Sequence, residues 1–355
     1  MSIQTALIDS LCEELCQGAH EADRGIAWPH EQIRRISDAG VFRWFLPAEY
    51  GGVGWSETEI LEGYLALSRS CLTTTFILTQ WNAACKRILG SQNETLKQTV
   101  LPQMASGQCF ATVGISHLST SRQHVSKPVL EATARDEGFE LNGFSPWVTA
   151  APAVDLFVVG ATLVDGTQVM LAVPSDTDGV RPSPGAELVG LNGSCTDQVT
   201  FEKAWIAQSQ ILAGPVANVL STNSGGGAGG LQTSTLAVGL SLAAIGYLRE
   251  QAERRSDLHP IAEKLGDDAD DLLATLRALT AGKNAEFTAS GLRQKANSLV
   301  LRSTQAALSA AKGAGYVASH PAGRWAKEAL FFLVWSCPQP VVNANLCELA
   351  QLAVD

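Results

Sequence analysis

Apolar residues recur at helical spacing through the first third of the chain. They alternate with polar ones in the middle, then return to helical spacing over the last third. Trp28-Pro29-His30-Glu31 opens a helix, with Ile33, Ile36 and Ala39 on one stripe and Gly40 as its stop. Phe45-Leu46-Pro47 leads into the glycine-dense turn Glu49-Tyr50-Gly51-Gly52-Val53-Gly54. Ser56, followed by Glu57 and Glu59, carries helix-capping chemistry: a hydroxyl at the N-cap and acids in the first turn. A further short helix is predicted over 94–105, closed by Ser106-Gly107.

From about 125 to 212 the period is two. Strands are predicted over 129–134, 139–142, 156–163, 167–173 and 198–201, with turns at Gly138, Asn142-Gly143, Asp165-Gly166, Asp178-Gly179 and Asn192-Gly193. Their close spacing, without intervening helices, predicts an antiparallel β-barrel or sandwich. The glycine- and serine-rich stretch 221–230 reads as a connector. Helical patterns follow over 231–255, 261–281, 294–312 and 326–335. The expectation is a multi-domain α+β chain: an N-terminal helical domain over 1–120, a middle β domain over 121–214 and a C-terminal helical bundle over 215–355.

The chain has 355 residues, ample for a large core, and 17% charged residues, too few for disorder. Its 25 Lys and Arg against 35 Asp and Glu give a net charge of −10, which argues against a dedicated nucleic-acid binder. Asp9, Glu13 and Glu14 stand where a secretory leader needs basic residues and then an apolar run. No membrane span is expected; the nearest approach, 151–164, is short and interrupted by Asp155. The eight cysteines in so long a chain read as reduced thiols, and no metal site is expected from Cys12 and Cys16 alone. A cytoplasmic location follows from these features.

Four stretches carry a resemblance: 45–54 (FLPAEYGGVG), 90–109 (GSQNETLKQTVLPQMASGQC), 141–151 (LNGFSPWVTAA), and 191–205 followed by Ile211-Leu212-Ala213-Gly214. In this order, across roughly residues 20–345, the chain resembles the acyl-CoA dehydrogenases. The resemblance implies three parts (helical, β and a C-terminal four-helix bundle), an FAD cofactor, an acyl thioester as small-molecule substrate, and a homo-oligomer, dimer or tetramer. The alanine-rich pattern over 294–312 permits the close helix approach such an assembly needs.

Strand alternation places Trp147 and Thr149 on one face and Val148 on the other. An indole and a hydroxyl suit a flavin ring and equally an ordinary core; the resemblance implies the flavin. Residues 110–120 (FATVGISHLST) stand where the family reads Thr-Glu-Pro, two residues, then Gly-Ser-Asp. Val113, Gly114, Ile115 and Leu118 replace the threonine, glutamate, proline and glycine, while Ser119 keeps its place. The resemblance assigns Thr112, Val113 and Ser119 to the flavin loop. It likewise assigns Arg254 or Arg255 to the FAD pyrophosphate, although Asp257 stands where an aromatic is expected. Gly313 and Gly315, with Tyr316, match its glycine turn, with Lys312 in place of the first glycine.

The family's catalytic glutamate has no counterpart. Ser336 stands at its position, followed by Cys337 and Pro338, and Gln232 or a neighbour falls where some relatives carry the base on the first bundle helix. A serine hydroxyl needs its own activator to act as a base. His117, beside the flavin loop, is the alternative acid or base, since histidine titrates near neutral pH. Three functions are therefore weighed: FAD-dependent α,β-dehydrogenation of an acyl thioester, a flavin monooxygenase of the same architecture, and a non-catalytic CoA- or flavin-binding or scaffolding homologue.

Overall fold

The computed structural model describes residues 3–119, 127–222, 231–283 and 288–352, with side chains from residue 7 onward except that of Ser119. The 221–230 connector lies largely outside the described residues. The chain begins with helices α1 (Ile3–Arg24), α2 (His30–Asp38), α3 (Glu57–Ser70), α4 (Leu72–Leu89) and α5 (Glu94–Ala105). At the start of α3, Ser56 accepts a hydrogen bond from the Glu59 amide while the Glu59 carboxylate takes the Ser56 amide. Two otherwise orphaned donors are thereby satisfied. The glycine turn before it folds tightly on itself: a side chain at Gly52 would overlap the Leu46 carbonyl.

The middle of the chain forms one eight-stranded sheet. Its strands are β1 (Ala111–Gly114), β2 (Leu130–Arg135), β3 (Gly138–Val148), β4 (Leu156–Thr162), β5 (Gln168–Pro174), β6 (Val180–Pro182), β7 (Asp197–Ala207) and β8 (Ile211–Val216). They run in the order β6-β7-β3-β2-β4-β5-β8, with β1 on β4. Pairing is antiparallel except at β1–β4 and β2–β4, which are parallel. The turn α6 (Ser116–Ser119) follows β1. β4 and β5 are buried almost throughout, so their apolar runs are continuous instead of alternating.

The third part comprises α7 (Leu231–Ala252), α8 (His259–Thr280), α9 (Ala289–Ala311), α10 (Pro321–Ala329), α11 (Phe331–Val334) and α12 (Gln339–Leu349). By length and composition α7 could cross a membrane, yet most of it is buried between α3, α8 and α9. Its apolar character is that of a core helix. Gly239 marks its closest crossing, where an added Cβ would overlap Ser68 on α3 and come within 3.0 Å of the Leu65 carbonyl. The single helical pattern read over 326–335 divides at Leu330 into α10 and α11.

Polar contacts tie the three parts. Asn93 donates to the carbonyls of Ser209 (2.7 Å) and Ile211 (3.0 Å), and Arg87 to that of Leu220 (3.0 Å). Asp23 of α1 accepts from the Leu191 amide at 2.6 Å and pairs with Lys327 of α10 at 3.2 Å.

Candidate functional site

A cavity of about 480 Å³ opens where α3, α4, β1, the end of β3, α7 and α11 converge. Its size is that of a ligand pocket. One wall is aromatic. Phe331 stacks on Trp335 with centroids 5.4 Å apart, and Phe76 meets each edge-on at 4.8 Å. Val113, Ile115, Ser116 and Trp147 also line the cavity. Ser116 donates to the Pro146 carbonyl at 2.8 Å, which fixes the turn after β1 to the end of β3.

Trp147 and Ser336 both have positive φ, 56° and 43°, and both line the cavity. Left-handed backbone is uncommon for bulky side chains and costs about 1–3 kcal/mol, so these residues are held there by their surroundings. Trp147 is 49% exposed, an indole presented to open space.

A polar cluster forms another wall. Tyr64 is buried, accepts from Asn82 Nδ2 at 3.0 Å and is hydrogen-bonded to Gln232. Burial drives its hydroxyl well above the ordinary phenol value, against the two hydrogen bonds, so the group is a neutral phenol at physiological pH. Glu57 and Lys86 pair at 3.4 Å where this wall meets solvent.

The sequence-predicted residues divide into three groups. Val113, Trp147, Ser336 and Gln232 meet at the cavity, although they come from separate parts of the chain. Thr112, Thr149 and His117 are buried outside its lining. The register shifts between Ser145 and Val148, which breaks the alternation that was to put Trp147 and Thr149 on one face. The Thr149 hydroxyl instead lies 3.0 Å from that of Thr196. His117 Nε2 lies 2.8 Å from the Gly160 carbonyl, and burial pushes the imidazole below its usual value, so the ring is neutral at pH 7. Among the described residues its Nδ1 has no partner. The Ser119 side chain lies outside the described residues.

The third group sits at the α7–α9 end of the bundle. Arg255 donates to the Ala310 carbonyl at 2.8 Å and lies 3.5 Å from Asp257, while Arg254 is exposed. Gly313 is exposed and Gly315 buried in the turn after α9. Arg255 and this glycine turn are thus brought together, away from the cavity lining. Among the described residues no cluster of His, Cys, Asp and Glu is arranged to hold a metal ion.

Sequence reasoning passed over Tyr64, Phe76, Thr79 and Asn82. Tyr64 and Phe76 carry no signal beyond core spacing. Asn82 carries a faint one, as an amide within the apolar run of α4.

A helical layer, a mixed sheet and a helical bundle meet at one cavity, a three-part architecture that known proteins share. Residues 2–108 match the family model described as "Acyl-CoA dehydrogenase, N-terminal domain". The probable acyl-CoA dehydrogenase YngJ of Bacillus subtilis (strain 168) is 23% identical over 342 residues, spanning 89% of this chain and 88% of that relative. The structure of glutaryl-coenzyme A dehydrogenase with glutaryl-CoA superposes with a TM-score of 0.84 at 16% identity, covering 99% of this chain and 96% of that one. FMN-bound TdsC from Paenibacillus sp. A11-2 superposes at 0.80 with 15% identity, covering 97% and 96%. The chain thus matches the acyl-CoA dehydrogenase N-terminal domain over residues 2–108, and along its length it has the fold seen in the acyl-CoA dehydrogenases.

Proposed function

We propose that the chain is an FAD-dependent oxidoreductase whose reaction takes place in the cavity between Trp147 and Ser336. The observation that carries this reading is the convergence of Trp147, Val113, Ser336 and Gln232, from separate parts of the chain, on one ligand-sized space. The half-exposed Trp147 face and the backbone of residues 113–116 fit the ring of a flavin. Arg255, Gly313 and Gly315 would serve the pyrophosphate, across a subunit boundary of a dimer or tetramer. Thr112 and Thr149, buried beside the lining, would support the ring loop, and Ser119 follows it in the chain. A bound flavin supplies a two-electron acceptor that, once reduced, can also react with oxygen.

The chain's own residues then bind and orient the substrate. The aromatic wall excludes water, and the Gln232 and Tyr64 groups offer neutral hydrogen bonds to a carbonyl or hydroxyl. In the dehydrogenase form of this reading, Ser336 occupies the place of the base, and the substrate is an acyl thioester. One specific observation favours a monooxygenase: both positions that could hold the base, Ser336 and Gln232, face the cavity with no carboxylate, and the lining carboxylate Glu57 is paired with Lys86. A non-catalytic CoA- or flavin-binding homologue is the reading that remains if no turnover occurs.

Anaerobic addition of acyl-CoA thioesters of graded chain length to flavin-loaded protein separates these forms. Bleaching of the flavin is the dehydrogenase result. No bleaching with any thioester, together with oxygen-dependent NAD(P)H consumption in the presence of a flavin reductase, is the monooxygenase result.

A further inference from the structure

Arg293 is among the largest fully buried side chains of the fold, and among the described residues no carboxylate is among the charges acting on it. A buried charge without a counter-ion is costly, so its hydrogen bonds show what retains it. Nε donates to Asn297 Oδ1 at 2.8 Å, one helical turn along α9. Nη2 donates to the carbonyls of Trp335 (3.0 Å) and Phe332 (3.4 Å), and Asn297 Nδ2 donates to that of Phe332 at 2.9 Å. Burial lowers the guanidinium to about 10, which leaves it charged at neutral pH.

The carbonyls it takes are those a helix end leaves without partners. α11 is a single turn, too short to be stable alone, and the chain leaves it through Trp335 and Ser336, the latter with φ of 43°. A cation at its C-terminal carbonyls satisfies them and opposes the helix dipole. This turn and the two residues after it carry Phe331, Trp335 and Ser336, which line the same cavity as Trp147.

We propose that Arg293 and Asn297 are positioning residues: a buried clamp on α9 that fixes the main chain of α11 and so sets the aromatic wall and Ser336 at the cavity. The proposal rests on the flavin-site reading for what the wall contacts, and on the hydrogen bonds alone for the clamp. Neither residue lines the cavity; each acts through the Phe332 and Trp335 carbonyls.

The test uses the full-length chain with R293M, R293K and N297A. Hydrogen exchange of peptides covering 331–337 is compared with peptides from α7 and α9. FAD affinity is read in parallel from quenching of tryptophan fluorescence. R293M and N297A are expected to speed exchange about tenfold over 331–337 while α7 stays protected, the size of effect one charge-assisted hydrogen bond gives. FAD affinity should fall about tenfold in R293M and recover in part in R293K, which keeps the charge but loses the fork. Unchanged protection of 331–337 in both R293M and N297A overturns the clamp, as does a uniform rise across the bundle, which marks general loosening. Should R293M fail to fold, N297A decides alone, since it retains the buried cation and removes the second donor to Phe332. If wild-type protein binds no FAD, the flavin reading fails while the exchange result still decides the clamp.

Discussion

Glu328 on α10 is 1% exposed, and neither of its carboxylate oxygens has a hydrogen-bond partner among the described residues. Arg324 Nε stands 3.4 Å away, too far for a strong bond, and Asp23 adds a second negative charge that Lys327 only partly offsets. Burial therefore dominates and raises the Glu328 carboxyl to about 7. The folded chain then holds a proton that the unfolded chain releases near its ordinary value of 4.5. Stability falls as pH rises through that window, by about 3 kcal/mol once above pH 7. Urea unfolding at pH 5 and pH 8 should show this slope in wild type and lose it in E328Q. An identical slope in both would assign it to other groups. Trp147 gives a second residue-scale expectation. Because its indole is half exposed, W147A should leave far-UV circular dichroism unchanged and weaken FAD binding about tenfold, read by fluorescence titration.

Between elements, the α3–α7 crossing is set by Gly239 facing Ser68. Alanine raises helix propensity by about 1 kcal/mol, but here its methyl meets Ser68 Oγ and the Leu65 carbonyl, and the resulting overpacking costs about 1–3 kcal/mol. G239A should lower the melting temperature, and G239A/S68A should restore most of the loss. The helical periodicity of α7, α8 and α9, the Ser56–Glu59 cap and the period-two strands were all legible in the sequence, because each is a local pattern. The bulge that turns Thr149 away from Trp147 was not, since it arises from pairing with β7, whose register no single strand encodes. Likewise the hydrogen bonds from Arg293 and Asn297 to the Phe332 and Trp335 carbonyls join residues about 40 apart in sequence, a pairing no local pattern encodes. Trp147, Val113, Gln232 and Ser336, which line the cavity, were singled out in the sequence only through resemblance; Tyr64 and Asn82 escaped because a buried polar pair looks like core until its neighbours are known.

At the scale of the whole molecule, apolar side chains remain uncovered near the C-terminal end of the described residues: Val334 is 78% exposed, Leu349 62% and Leu352 64%. Were they to form one contiguous patch, it would suit an interaction surface. Since Arg255 and the Gly313–Gly315 turn lie away from the cavity, the proposed FAD site would be completed by a second subunit of a dimer or tetramer. Sedimentation velocity at micromolar concentration should give an oligomer, and V334D/L349D should shift it to a smaller species. A wild-type monomer would remove the shared-site arrangement.

The central claim is that this fold still holds a flavin although no glutamate remains at the base position. The most direct measurement is the visible spectrum of the purified full-length protein after incubation with FAD and removal of free cofactor. Retained absorbance near about 450 nm, in near one-to-one ratio with protein, is the expected result. Colourless protein, with no quenching of tryptophan fluorescence at any FAD concentration, would contradict it.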